Sequence, residues 1–231
     1  MMVVLFSVMS IGIGLTAAIW DSTSGTSTEY GPVVDTTDWN SWAKYFVCAD
    51  VTSSNGQGID GRVVRSYSGT NLGDVIFPTV DNNNYVIKIS NTVFDSDTKK
   101  SLPETIYISC RITTIETCAF MNLVNLHKVV FAYSGYGTND ATVYSNAAVN
   151  VGDYALAGCR SLQEIVIEAG RVVNFGAGAL MGCFNLTSIV YGGTRDEWLN
   201  DMTRASSWDS NTGDYTVHCS DGDITKAQMH A

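Results

Sequence analysis

Six cysteines and three histidines could hold a metal ion or take part in nucleophilic catalysis. Their spacing argues against both uses. The cysteines are Cys48, Cys110, Cys118, Cys159, Cys183 and Cys219. No two of them form a C-x-x-C pair, the spacing with which zinc and redox sites usually begin. The G-x-S-x-G sequence of a serine nucleophile is also absent. We therefore predict no enzymatic activity, no catalytic or metal-binding residue and no cofactor.

The histidines are spread along the chain and do not suggest a catalytic group. His127 is predicted at the exposed start of a strand, His218 within a C-terminal strand and His230 in a frayed tail. The run from Asp209 to Asp214 resembles the start of an EF-hand calcium loop, but glycine falls at its fifth position instead of its sixth, and no glutamate stands at the twelfth. We predict a polar hairpin turn there.

An internal repeat determines which elements position these side chains. Three segments superpose, beginning at Ile112, Val149 and Val173. Seven columns match in all three copies: Ile115, Val151 and Phe175; Ala119, Ala155 and Ala179; Phe120, Leu156 and Leu180; Leu123, Cys159 and Cys183; Leu126, Leu162 and Leu186; Val129, Ile165 and Ile189; Phe131, Ile167 and Tyr191. A worn earlier copy is visible at Ile89, Val93, Phe94 and Leu102. A fixed period of this length indicates a solenoid.

Each copy contains a short strand with period-2 alternation, such as the stretch from Leu162 to Ile167. The segment before it, GDYALAGC in the second copy, predicts a compact helical or 3₁₀ turn with alanine and leucine facing inward. Cys159 and Cys183 then form a small buried ladder, since a free cysteine packs like a small hydrophobe. The outward strand positions form a candidate binding face: Lys128, Val130, Glu164, Val166, Ser188 and Val190.

These copies resemble a known family. The stretches DYALAGCRSLQEIVI and GALMGCFNLTSIVYGG are similar to the BspA-type leucine-rich repeats, whose pattern runs IG..AF..C..L..V.IP. The ending from Tyr191 to Ile224 resembles the closing unit of such domains, with a Tyr-Gly-Gly-Thr turn, a short helix containing a tryptophan, and a Tyr-Thr-Val-His-Cys strand. The resemblance covers about residues 44–224. It implies a β solenoid with short helical or 3₁₀ turns, and adhesion or binding at a cell surface.

An insert interrupts the connection between the first two copies, which are 36 residues apart while the second and third are 24 apart. Its sequence brings Tyr133, Tyr136 and Tyr144 onto an excursion from the stack. Tyrosine supplies contact area at low entropic cost, so these three residues are candidate binding residues. A solvated or self-packed loop without a partner is the alternative.

The first twenty residues, Met1–Trp20, carry no charged side chain, and as a helix they would be about 30 Å long. That length matches the hydrocarbon thickness of a bilayer. The segment is predicted as an apolar helix that acts as a cleaved secretory signal, an uncleaved membrane anchor or the core of a pilin-like filament. A buried helix of the globular domain is the fourth interpretation. No glutamate of the kind found near the start of pilins is present.

Charge excludes two classes of partner. The chain has 231 residues, 13 Lys and Arg, 23 Asp and Glu, and a net charge of −10. Nucleic acids and anionic membrane surfaces both require basic residues to displace counterions, so neither is a predicted partner. The hydrophobic fraction of 45% excludes disorder as the main state.

These observations predict a repeat solenoid preceded by one apolar N-terminal helix. The predicted organisation is an apolar helix at 1–20, a polar linker at 21–43, an N-terminal cap hairpin with the first strand at 44–85, leucine-rich repeats at 86–191 with an insert at 132–147, a C-terminal cap at 192–224 and a tail at 225–231. The predicted function is non-enzymatic interaction or adhesion, on the cell surface or secreted, with a protein or glycan partner. The alternative is a structural subunit of a filament or virion-like assembly that self-associates through Met1–Trp20 and displays the solenoid as its head.

Overall fold

The computed structural model describes residues 15–20, 27–33, 42–52, 59–70, 73–82, 84–132 and 148–230. The chain divides into two compact units, Met1–Asp38 and Trp39–Ala231. The second of them contains all of the repeats.

The N-terminal unit contains an antiparallel pair of strands, β1 (Leu15–Trp20) and β2 (Ser27–Val33). The helix predicted over residues 1–20 is therefore wrong for its last six residues, and β2 lies inside the predicted polar linker. The β-branched and aromatic residues of β1 favour an extended backbone, and pairing with β2 supplies its hydrogen bonds. Residues 1–14, on which the signal, anchor and filament predictions mainly depend, lie outside the described residues. No helix in the described part of the chain is long and apolar enough to cross a membrane.

The solenoid unit is built from short strands and three short helices in its described residues. Its strands are β3 (Phe46–Thr52), β4 (Ile59–Tyr67), β5 (Gly73–Ile76), β6 (Val80–Asp81), β7 (Asn84–Ile89), β8 (Pro103–Ile108), β9 (Thr114–Ile115), β10 (Lys128–Phe131), β11 (Val149–Val151), β12 (Glu164–Ile167), β13 (Val173–Phe175), β14 (Ser188–Tyr191), β15 (Thr216–Cys219) and β16 (Gly222–Thr225). Its helices are α1 (Asp97–Lys100), α2 (Arg195–Asp201) and α3 (Lys226–Met229).

Two sheets of seven strands each form the walls of the solenoid. The front sheet has the order β16-β15-β14-β12-β10-β8-β5 and the back sheet the order β13-β11-β9-β7-β4-β3. The strands run parallel except for the hairpins β15/β16 and β3/β4 at opposite ends of the stack, while β6 pairs antiparallel with β7. The chain alternates between the sheets, so each repeat contributes one back strand, one turn and one front strand. The predicted β repeat solenoid is confirmed, and the structure adds that its strands are parallel.

The core lies between the sheets and follows the predicted columns. Ile106, Val129, Ile165 and Ile189 are paired in register across the front sheet and are fully buried. The worn earlier copy is also confirmed, because Ile89, Val93 and Phe94 are buried with them. Aromatic rings close both ends of this core. Those near the N-terminal end are Phe46, Tyr67, Phe77, Phe94 and Phe120, and those near the C-terminal end are Phe175, Tyr191, Trp198, Trp208 and Tyr215.

The turns between the back and front strands differ from the predicted helical or 3₁₀ form. In the second copy the N–H groups of Tyr154, Leu156 and Gly158 donate to carbonyls of the third copy, at 2.9, 2.8 and 2.7 Å. The N–H groups between them bond within the turn. Tyr154 and Gly158 have φ values of 55° and 73°, which no helix accommodates. The alternation turns every second donor toward the neighbouring copy, so the turns form a third hydrogen-bonded side of the solenoid.

The C-terminal cap begins with helix α2. Thr194 and Glu197 form a capping box, with Thr194 N donating to the Glu197 carboxylate at 2.7 Å. Trp198 on this helix is fully buried and donates from its indole nitrogen to Met229 Sδ at 3.2 Å. The tail predicted to fray contains α3, and His230 Nε2 lies 2.8 Å from the buried Asp209 carboxylate. Asp209 therefore belongs to a buried network, in which Tyr215 OH donates to the same oxygen at 2.7 Å.

Candidate interaction surface

The outward side of the front sheet carries two straight rows of side chains, because its strands stack in register. The first row is polar and consists of Asp74, Thr105, Lys128, Glu164, Ser188 and Thr216. Lys128 Nζ lies 2.6 Å from Glu164 Oε2, with a quarter to a third of each side chain exposed. This ion pair on adjacent strands fixes the middle of the row, and at such exposure it stabilises the fold by less than about 1 kcal/mol.

The second row is apolar and lies two residues further along each strand. It consists of Ile76, Tyr107, Val130, Val166 and Val190 and ends at His218. Tyr107, Val130 and Val166 are half-buried, whereas Ile76 and Val190 are only 4% and 6% exposed. The prediction that Val190 is exposed is wrong, since Val166 and His218 flank it on the same face. Burial, and secondarily the charge of Asp74, raise the pKa of the Tyr107 hydroxyl.

The two rows bring together six of the nine predicted binding residues, with Ser188 and Val190 on β14. Lys128, Val130, Glu164 and Val166 are neighbours on β10 and β12 at the centre of the sheet. The other three, Tyr133, Tyr136 and Tyr144, lie outside the described residues. We call the outward side of β8, β10, β12 and β14 the front face.

The apolar row ends in a polar pair at the C-terminal cap. His218 Nδ1 lies 3.0 Å from Asp223 Oδ1, with both side chains exposed to solvent. Nearby, Arg195 N donates to Asp221 Oδ1 at 2.8 Å, so that carboxylate caps the start of α2 and the pKa of its carboxyl group is lowered. In the described residues no three His, Cys, Asp or Glu side chains are grouped so that they could hold a metal ion.

The cysteine column is buried, as predicted. Cys159 Sγ donates to the Phe120 carbonyl at 3.1 Å, and Cys183 Sγ donates to the Leu156 carbonyl at 3.2 Å. Each thiol therefore bonds to the preceding copy. Burial raises the pKa of both thiols, that of Cys183 to about 12. All six cysteines are free.

This burial predicts selective alkylation. Iodoacetamide at pH 8 is expected to leave Cys159 and Cys183 unmodified in the folded chain, because a thiol with so high a pKa supplies almost no thiolate and only unfolding exposes it. Mass spectrometry of tryptic peptides after timed alkylation measures this protection. Labelling of Cys183 at the rate of Cys110, which is half-buried at the surface, would contradict the assignment of these thiols to the core.

Sequence reasoning missed a second group of exposed side chains on the turn side of the solenoid. Tyr154 and Phe184 are 42% and 57% exposed, and they lie in the turns of the second and third copies. A signal for this group exists in the aligned copies. Tyr154 shares its column with Gly178, and both have positive φ values, 55° and 60°, so a large side chain occupies a position whose backbone favours glycine.

Stacked parallel strands, in-register ladders and a capped C-terminal end define the second unit as a β solenoid. Residues 131–200 match the family described as "BspA type Leucine rich repeat region". Over these residues the match confirms the resemblance noted in the sequence.

Two solved structures are similar to this chain. One is a leucine rich repeat protein of T. pallidum, with 16% identity and a TM-score of 0.39 over 64% of this chain and 69% of that one. The other is a leucine rich cell surface protein from Faecalibacterium prausnitzii A2-165, with 14% identity and a TM-score of 0.38 over 74% of this chain. The chain covers 53% of that second protein, about half its length. No curated protein matches this chain.

Proposed function

We propose that this chain is a non-enzymatic interaction protein that acts outside the cell or on its surface and binds a partner protein through the front face. The observation that carries the proposal is the pair of in-register rows, in which partly exposed apolar side chains lie beside a polar row. Repeat solenoids commonly bind partners on such extended surfaces. The BspA-type repeats support an interaction role.

The composition of the front face suits a protein interface. Tyr107, Val130 and Val166 supply a continuous apolar strip, and Lys128 with Glu164 supplies a charged border. An interface of this kind has an apolar centre and a polar rim. The rows are held by parallel strand pairing, so the surface is rigid before binding and little ordering entropy opposes association.

Arginine substitutions at the centre of the apolar row test this proposal. The full chain and its Val130→Arg, Val166→Arg double variant are applied to an array of purified secreted and surface proteins. The wild-type chain is expected to bind at least one arrayed protein, and the double variant is expected to bind it at least tenfold more weakly, because two charges in the contact must lose their hydration. Surface plasmon resonance on the selected protein measures the affinities.

A matched control adds the same charge beside the face. Gln163 and Thr187 are exposed and each immediately precedes a front strand, so the Gln163→Arg, Thr187→Arg double variant is expected to bind like the wild-type chain. Circular dichroism checks that both variants are folded. Binding that survives the Val130→Arg, Val166→Arg change, an array without a bound protein, or a signal confined to a parallel glycan array would overturn the proposal.

A further inference from the structure

The turn side of the solenoid carries a second exposed apolar surface, which does not depend on the front face. Three of the large hydrophobic side chains most exposed in the described residues lie there: Val124, Tyr154 and Phe184, at 50%, 42% and 57%. Met121 and Met181 are half-exposed beside them. We call this surface the turn-side patch. Contiguous exposed apolar groups of this kind often mark interaction sites.

Stability does not account for Tyr154. Its φ of 55° strains a residue with a side chain, whereas Gly178 adopts the equivalent conformation without that strain. The ring lies over the next copy, since a Cβ added at Gly178 would be 2.6 Å from Tyr154 Cε1. One side of the ring therefore rests on backbone, and the ring keeps 42% of its surface open to solvent.

Two glycines of one column, Gly158 and Gly182, lie in the patch, with φ values of 73° and 75°. A Cβ added at Gly158 would collide with Asn122 Oδ1, so the Asn122 side chain covers that position. The space at Gly182 is more open, since a Cβ added there would have its nearest neighbours at 3.8 Å in the Gly158 backbone and at 3.9 Å in the Phe184 ring.

Arg160 gives the patch its charge. It is exposed, its guanidinium carbon lies 5.9 Å from the centre of the Phe184 ring, and it forms no ion pair with a residue that the structure describes. Arg160 therefore places a positive charge next to exposed apolar side chains. A partner that complements Arg160 would present a carboxylate flanked by apolar groups.

The spacing along the patch matches a helix. Val124, Arg160 and Phe184 occupy the same column of the three copies, just after the Leu123, Cys159 and Cys183 column. Backbone bonds from Asn122 to Ala157 and from Gly158 to Met181 hold successive copies together, at a strand spacing of about 4.8 Å. The turns of an α-helix rise by about 5.4 Å. Flexible side chains absorb a mismatch of about 0.6 Å per step.

We propose that the turn-side patch is a docking site for an amphipathic helix of a partner protein. The helix presents an acidic side chain to Arg160 and apolar side chains, one turn before and one turn after it, to Val124 and Phe184. The open space at Gly182 leaves room for the helix beside Phe184. Helices that lie in apolar grooves bind through such i, i+4 and i+7 side chains.

Two synthetic helical peptides test the proposal by charge exchange. Both have leucine at positions i and i+7 of one face, and they differ only in glutamate or lysine at i+4. The glutamate peptide is expected to bind the full wild-type chain with a dissociation constant on the order of 100 μM, typical of a small contact, and at least tenfold more tightly than the lysine peptide. Arg160→Glu is expected to reverse this preference. Fluorescence anisotropy of labelled peptides measures both.

Matched variants locate the contact. Phe184→Ala is expected to weaken the glutamate peptide at least fivefold, while Leu199→Ala, which removes a side chain of similar exposure (48%) from α2, leaves it unchanged. Gly182→Asn is expected to weaken the glutamate peptide by filling the open space beside Phe184, and the fold tolerates asparagine in this column because Asn122 occupies it in the first copy with a φ of 62°. Circular dichroism confirms that each variant is folded.

Three results would overturn the docking site. The first is equal binding of the two peptides, or of neither, to the wild-type chain. The second is an unchanged preference in Arg160→Glu. The third is a glycan array on which binding requires Phe184 while the peptides do not compete, since that result assigns the patch to a sugar. Loss of peptide binding in the Val130→Arg, Val166→Arg variant would instead place the contact on the front face.

Discussion

Replacing Arg171 with leucine is expected to lower the free energy of unfolding by about 3 kcal/mol. Arg171 is 3% exposed, and its guanidinium donates to the carbonyls of Cys110, at 2.9 Å, and of Ser109 and Ile112. These acceptors lie 59 to 62 residues earlier in the chain, so the side chain joins the third copy to the corner before the first. Leucine would leave buried carbonyl groups without their charged donor.

The burial of the Arg171 guanidinium also predicts how stable a lysine variant should be. Burial lowers the pKa of Arg171 to about 10, so the guanidinium is still charged at neutral pH, and its bonds to the carbonyls replace part of its lost hydration. Arg171→Lys is therefore expected to fall between the wild-type chain and the leucine variant, since an ammonium cannot reach all three acceptors in the plane of a guanidinium. Urea unfolding followed by tryptophan fluorescence measures the differences.

Arg111→Leu is the matched control. Arg111 occupies the same column of the first copy, four residues before Ile115, but it lies over the Tyr85 ring at 3.9 Å and is partly exposed. Its loss is expected to cost less than about 1 kcal/mol, as for an exposed cation–π contact. Equal destabilisation by the two leucine variants would show that the carbonyl contacts of Arg171 contribute no special stability.

The second large effect is expected at a glycine that is needed for close approach of backbones. Gly176→Ala is expected to cost about 2 to 3 kcal/mol. The added Cβ would lie 2.8 Å from Asp153 N and 3.0 Å from the Gly152 carbonyl carbon, both backbone atoms of the second copy. Relief requires the copies to separate, which strains the bond from Gly176 N to Val151 O at 2.8 Å. Thermal and urea unfolding measure the loss.

The same column supplies a control that already has a Cβ. Glu116 aligns with Gly176 and forms an ion pair with Lys88 at 2.7 Å, while its other oxygen accepts from Asn91 N at 3.0 Å. Glu116→Ala is expected to cost about 1 kcal/mol or less, since the pair is partly exposed. A Gly176→Ala variant as stable as the wild-type chain would refute the close approach of the second and third copies.

The repeat columns predicted the architecture because stacked copies must align equivalent residues. Val129, Ile165 and Ile189 were placed in one column by sequence alone, and strand pairing puts them side by side. The same logic placed Lys128, Val130, Glu164 and Val166 on one face. Period-2 alternation assigns the face of each residue, and the parallel register assigns its neighbours.

The features that the sequence could not predict depend on contacts that do not follow the repeat. Because arginine is rarely buried, the sequence favours a surface position for Arg171. Its partners lie about 60 residues earlier in the chain, near Cys110. His230 meets Asp209 across 21 residues and links the tail to a loop predicted to be a solvated turn. The turn conformation was missed for a different reason: its donors bond to the next copy, and a search for local helical signals does not consider such bonds.

The hydrogen bonds between successive turns all run the same way along the stack. In the three copies the turn donors point to carbonyls of the following segment: Phe120 to Ala155, Leu156 to Ala179 and Leu180 to Trp208. These acceptors lie 35, 23 and 28 residues later in the chain. The turn of each copy is therefore completed by its successor, and the segment around Trp208, whose own N–H donates back to Ala205, ends the series.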